Sequence, residues 1–194
     1  MSTDPHVLFQ YSGPLVLLGW LALGYVTLFR GMPLLVQLFL IYYGLGQFSR
    51  ELRAMGLWWI FRDAWYCGLL ALVLNTAAYQ AEIIRGSLQT IPASVHETNA
   101  ALNLTRWTAF RHVLLPIAFA KALPAIGNEF ILLLKATSLV AVITVFDLMG
   151  QARFIFSETL DLRVYYIAAL HYLVLVLAIE WALRRVERRF SWVQ

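Results

Sequence analysis

The chain has 194 residues, of which 61% are hydrophobic and only 13% charged, and its mean hydropathy is +0.70. That balance is too apolar for a soluble domain and puts the chain among integral membrane proteins, with lipid as the solvent of its outer surface. The formal net charge of +4 is carried mainly by arginines, which near span ends report membrane orientation; nucleic-acid binding has no support.

The first residues, MSTDPHVLFQ, carry Asp4 and no Lys or Arg, so the positive n-region of a secretory signal is missing. Residues 14–45 are apolar apart from Gln37 and the break Arg30-Gly31-Met32-Pro33. A spanning helix needs roughly 20 apolar residues, so this stretch is long for one span and short for two. One span over Gly31 to Leu45 is expected, preceded by an amphipathic or shallowly inserted helix ending near Arg30, with Pro33 tolerated in the first turn. Two short tilted helices are the alternative. Residues 46–63 mix charges with Trp58, Trp59 and Phe61, as a loop at the bilayer interface does.

Further spans are expected from Ala64 to Ile84, from Val113 to Leu134 with an irregular continuation to Phe146, and from Tyr165 to Leu183. Arg184, Arg185, Arg188 and Arg189 follow the last span and place the C-terminus in the cytoplasm. Counting back, residues 147–164 lie outside, 85–112 inside and 46–63 outside. Cys67 is the single cysteine, which excludes an intramolecular disulfide. His6, His96, His112 and His171 lack the spacing and company of a metal site. No phosphate-binding loop or catalytic constellation is present, so no cofactor is expected.

Between the second and third of these spans lies a polar island, Ser94 to Pro116, with the sequence SVHETNAALNLTRWTAFRHVLLP. Pro92 stops the arriving helix, and Ser94 stands three residues before Glu97, the spacing of a capping box, so a new helix is predicted to begin at Ser94. Asn103 tolerates the left-handed conformation that ends a helix. Thr105 can cap the next helix, whose apolar Trp107, Phe110 and Leu114 lead into the span. From local chemistry alone, a docking lever and a plain solvated loop are both open.

The order Glu97, Asn103, Val113-Leu114-Leu115-Pro116 resembles the EAA loop of bacterial ABC importer permeases, in which Glu-Ala-Ala is followed by Gly and then Ile-x-Leu-Pro. YVTLFRGMPLLVQLFLIYYGLG, LNTAAYQAEIIRGSL, LPAIGNEFILLLKATSL and the closing RRVERRF are similar to the polar amino acid permeases, particularly the branch serving histidine, basic amino acids and opines. The resemblance covers about residues 17 to 194, with residues 1–16 an atypical or truncated start to a single permease domain. In this chain Thr98 and Asn99 stand where the family has two alanines, and Asn103 where it has glycine.

The resemblance implies an all-α integral membrane protein of the type I ABC importer permease fold, with about four to five transmembrane helices. It implies a non-catalytic subunit in the bacterial inner membrane, moving a polar, basic amino acid or opine. Its partners would be an ABC ATPase, a second homologous permease subunit in a heterodimer rather than a homodimer, and a periplasmic substrate-binding protein. The cytoplasmic coupling helix would be residues 94–104, with Ser94, Glu97, Asn103, Leu115 and Pro116 framing the motif. Helical spacing adds His96, Ala100, Ala101 and Leu104 as contact positions. Asn128, Glu129, Lys135, Thr137 and Ser138 are the candidate substrate-pathway residues, because ionisable groups at membrane depth are expensive and mark pathways. For Glu129 the competing reading is a structural partner for Lys121, Lys135 or a neighbouring subunit. A stand-alone channel or ion-coupled carrier is the alternative for the whole chain.

Overall fold

The computed structural model describes residues 13–188, in which every regular element is helical. Residues 1–12 of the 1–16 segment that was expected to be an atypical or truncated start, and the end of the RRVERRF motif, lie outside the described residues. Helix α1 covers Gly13–Gly31, and α2 (Leu34–Phe39) runs into a π-helical turn at Leu40–Gly44. Two short helices follow, α3 (Ser49–Ala54) and α4 (Trp58–Phe61), within what the sequence reads as an interfacial loop. Then come α5 (Ala64–Gln89), α6 (Ala93–Ala101), and α7 (Arg106–Ala109), which passes through a π turn at Phe110–Leu114 into α8 (Leu115–Ala136). A 3-10 segment at Thr137–Ile143 leads to α9 (Leu148–Thr159) and α10 (Arg163–Glu187). Among the described residues, Ala64–Gln89, Arg106–Ile143 and Arg163–Glu187 are long and apolar enough to cross a membrane, and the bent pair at the start makes a fourth span if counted as one.

The antiparallel pair α5 and α8 is the frame. Small residues are buried on both helices, Ala71 and Ala78 on α5 and Ala118, Ala120 and Ala122 on α8, and small residues permit close helix approach. The Ala118/Ala122 pair is the small-xxx-small spacing that favours close contact. At the end away from α6, Gly68 faces Val140 so closely that a Cβ would lie 3.2 Å from its Cγ1. At the other end, Lys121 of α8 reaches the carbonyl of Thr90. Helix α10 also runs antiparallel to α8, bringing Leu183 and Glu187 beside Gly127. The C-terminal ends of α5 and α10 therefore lie on the same side as α6. Leu38, Ile41, Cys67, Ala71, Val140, Ile143 and Val145 form the core cluster between these elements.

The first segment departs from the expected single span over Gly31 to Leu45. Helix α1 has 19 residues, about 28 Å of helix, and it exposes Leu17, Leu18, Trp20, Leu21, Leu23 and Leu28. It is apolar all round and not amphipathic. The chain then bends by 105° into α2, which with its π turn is only about 16 Å long. Pro33 ends the helical run, with φ −57° and ψ 137°. Gln37, 2% exposed, donates its Nε2 to the carbonyls of Phe29 (2.7 Å) and Met32 (2.9 Å). Asn75 on α5 donates to Phe29 O and to Gln37 Oε1, both at 3.3 Å. The bend is thus held by side chains that take up the carbonyls α1 leaves bare at its end.

The third span continues irregularly beyond Leu134, as its sequence predicts. Thr144 has φ 69° and turns the chain after the 3-10 segment. Asp147 caps α9 by accepting from Gly150 N at 2.8 Å, and Arg153 donates to Ala141 O at 2.9 Å. A Cβ at Gly150 would collide with the carbonyl oxygen of Val145. Gly150→Ala is therefore expected to cost about 1–3 kcal/mol and to lower the unfolding temperature in detergent by several degrees. An unchanged unfolding temperature would contradict this packing.

Candidate coupling surface and polar residues of the spans

Helix α6 is held at both ends by backbone geometry. Residues 90–92 link it to α5, with Ile91 buried and Pro92 extended at ψ 147° as the N-cap. The helix begins at Ala93, one residue before its predicted start, and no side chain caps it. Ser94 is therefore not a capping-box residue. It lies inside the first turn, where its carbonyl accepts from Thr98 Oγ1 at 2.8 Å. The other end follows expectation. Asn103 adopts φ 51°, the backbone N–H of Leu104 returns to Asn99 O at 3.1 Å, and the Thr105 hydroxyl accepts from Thr108 N at 3.2 Å. These contacts close one helix and open the next within a few residues.

The exposed side of α6 carries Ser94, His96, Glu97, Ala100 and Ala101, all open to solvent, while Leu104 is half-buried. Asn103 is exposed at the turn. Leu102 (66% exposed) and Trp107 (67% exposed) add large apolar surface to the same island, and Trp107 stacks on Phe110 with centroids 6.1 Å apart. Leu102 has no marking in the sequence, since only exposure in the folded chain distinguishes it from core leucines. Leu115 and Pro116 sit farther along, exposed at the start of α8. The turn just before Pro116 widens so that Leu115 N–H bonds to Phe110 O, a π-helical spacing next to a residue that lacks a donor of its own.

Of the two residues that stand where the family has alanines, Thr98 is exposed and Asn99 is buried. Thr98 folds its hydroxyl back onto Ser94. Asn99 turns inward, 8% exposed, and its Nδ2 is buried without a hydrogen-bond partner.

In the spans, adjacent residues Asn128 and Glu129 face different ways. Asn128 is exposed, whereas Glu129 is 8% exposed. Lys121 is not its ion-pair partner, because the Lys121 Nζ bonds to Thr90 O at 3.0 Å. Lys135 is exposed. The hydroxyls of Thr137 and Ser138 are turned onto Leu134 O and Lys135 O, both at 2.7 Å. The five candidate pathway residues are thus spread over different sides of α8 and its 3-10 extension. The pairs Glu82–Arg85 and Glu180–Arg184 form as their spacing predicts. Arg30 joins the first at 3.4 Å from Glu82, tying the end of α1 to α5.

The profile of the inner membrane component of binding-protein-dependent transport systems matches residues 12–192. The chain belongs to this family. Among its relatives, the nopaline transport system permease protein NocM of Agrobacterium fabrum is 45% identical, over 83% of this chain and 70% of NocM. The arginine ABC transporter permease protein ArtM of Escherichia coli K12 is 39% identical, over 88% of this chain and 76% of ArtM. The octopine transport system permease protein OccM of Rhizobium radiobacter is 42% identical, over 82% of this chain and 68% of OccM. A crystal structure of an amino acid ABC transporter with histidines superposes with a TM-score of 0.79 at 38% identity, covering 94% of this chain and 80% of the other. The MetNI methionine transporter, at 22% identity and a TM-score of 0.68, covers 85% of this chain and 72% of its own, and shares the fold. The permease is accordingly a transport component of the type I ABC permease fold. Its family works with an ATPase and a substrate-binding protein.

Two substitutions check the local account of the island. Asn99→Ala removes a buried unsatisfied donor and is expected to leave stability unchanged or raise it by about 1 kcal/mol, read as the unfolding temperature in detergent. Asn103→Gly is expected to be neutral and Asn103→Val destabilising by about 1–2 kcal/mol, because only the latter resists the left-handed backbone. Loss of stability in Asn99→Ala would mean that its amide has a partner.

Proposed function

We propose that this chain is the membrane-spanning permease of an ATP-driven importer that carries a polar, basic amino acid or opine across the bacterial inner membrane. ATP is hydrolysed by a separate chain docked on the exposed side of α6, around His96, Glu97, Ala100 and Ala101. The observation that carries this reading is a short helix held away from the membrane frame by a buried Ile91 at one end and a left-handed Asn103 at the other. A rigid lever joined directly to two spans is what force transfer from a soluble motor requires. The substrate class follows from the arginine, nopaline and octopine systems of the relatives. A stand-alone channel would have no use for such an element.

Orientation follows from charge. Arg184 and Arg185 lie in the last turn of α10, on the side of α6, and arginines at span ends favour the cytoplasmic face. Both α6 and the C-terminus are assigned there. The spans of one chain are too few to enclose a pathway, so a second homologous permease completes it, as a heterodimer. Glu129, buried on α8, serves the cationic substrate along that pathway, with Asn128, Lys135, Thr137 and Ser138 nearby in sequence.

Glu97→Arg, or deletion of residues 94–104, is expected to leave the protein in the membrane while lowering uptake about tenfold or more and weakening ATPase co-purification. Normal recruitment and transport would refute the coupling role. For Glu129→Gln, loss of uptake with intact assembly supports the pathway role, and loss of assembly assigns the carboxylate to structure.

A further inference from the structure

The end of α5 is the root from which α6 departs, and its terminal carbonyls are taken up one by one. Gly86 O and Ser87 O accept from Thr90 N at 3.2 and 3.3 Å, and Ser87 O also accepts from Thr90 Oγ1 at 2.8 Å. Leu88 O accepts from Ile91 N at 3.4 Å. The carbonyl of Thr90 is served by another element: the ammonium of Lys121 on α8, at 3.0 Å. A helix C-terminus bears partial negative charge, and a cation there is favourable. The bond joins residues 31 apart in sequence and closes the whole excursion containing α6 and α7 at its base. Lys121 is itself half-buried on α8, so part of its stem is packed while its ammonium reaches Thr90.

We propose that Lys121 is the positioning residue that locks the root of the coupling helix to α8, so that a displacement of α6 moves α5 and α8 as one body. The proposal rests on the coupling reading of α6. The connection from Gln89 to Ala93 holds only Thr90, Ile91 and Pro92, and a flexible joint there would let α6 tilt without moving α5. The Lys121 bond removes that freedom by fixing the carbonyl of the first residue of the joint. Water can replace the ammonium as a hydrogen-bond donor at this half-exposed site, so loss of the lysine changes stability little. Water cannot tie the joint to α8, so loss of the lysine changes coupling.

The test uses the importer reconstituted in liposomes with its ATPase, companion permease and binding protein, reading substrate imported per ATP hydrolysed. Lys121→Met is expected to leave complex yield and unfolding temperature unchanged while lowering that ratio about three- to tenfold, and Lys121→Arg, which keeps a cationic donor, is expected to restore it. An unchanged ratio in Lys121→Met, an equal loss in Lys121→Arg, or failure of the complex to assemble would each overturn the proposal. A second readout is the distance distribution between spin labels at Gln89 and Ala125, both exposed, in the same complex. It should broaden in Lys121→Met, and an unaltered distribution would also overturn the proposal. Glu97→Arg run in parallel separates the two ideas. Lost ATPase recruitment in Glu97→Arg beside an unchanged ratio in Lys121→Met removes the clamp and leaves the coupling reading standing. Normal recruitment in Glu97→Arg removes the coupling reading and the clamp with it.

Discussion

Backbone polar groups that water does not reach must be satisfied from within the protein, and this requirement shapes the permease more than any other. Unbroken helix meets it automatically, and the interest lies where the helices break. At the bend after α1, Gln37 and Asn75 supply donors to Phe29 O and Met32 O. After the 3-10 segment, Arg153 supplies one to Ala141 O. At the end of α5, at a site that water also reaches, Lys121 donates to Thr90 O. Each of these three breaks is met by a polar side chain from another element, and each such bond ties two elements together.

These ties explain how a chain so poor in polar residues holds α6 as an ordered element outside its spans. The α5–α8 seam is built from small side chains and sets a fixed spacing. The island is inserted between these two helices, so its position is inherited from the seam. Ion pairing of Glu82 with Arg85 and Arg30 fastens α1 near the same end. The outward side of α6 is left with small residues, one histidine and one acid, flanked by exposed Leu102 and Trp107. The surface is preformed, so under the proposed coupling role a soluble partner would not have to order it, which lowers the entropy lost on docking.

How much of this could be read from residues alone depended on the range of the interaction. Asn103 and Thr105 act on their immediate neighbours, and both behave as their chemistry predicts. Long apolar runs announced three of the spans, though the third helix begins at Arg106, ahead of its apolar run, because a π turn carries α7 into α8 without a break. Ser94 has the right spacing for a capping box, yet a buried Ile91 and an extended Pro92 start the helix one residue earlier. The break at Arg30 to Pro33 was visible, but its direction depends on a glutamine bonding backwards across it and on an asparagine 38 positions beyond that. The inward turn of Asn99 and the contact of Lys121 with Thr90 are likewise products of packing, for which one sequence carries no local signal.

The central claim is that α6 is the contact through which a separate ATPase drives this permease. It is tested most directly by placing a photo-crosslinking amino acid at His96 in cells that carry the whole transport system. The account predicts a covalent adduct with the ATP-binding subunit, absent when the crosslinker is moved to Leu173, exposed within the α10 span. Adducts from position 96 that contain only lipid, or no ATP-binding subunit, would contradict it.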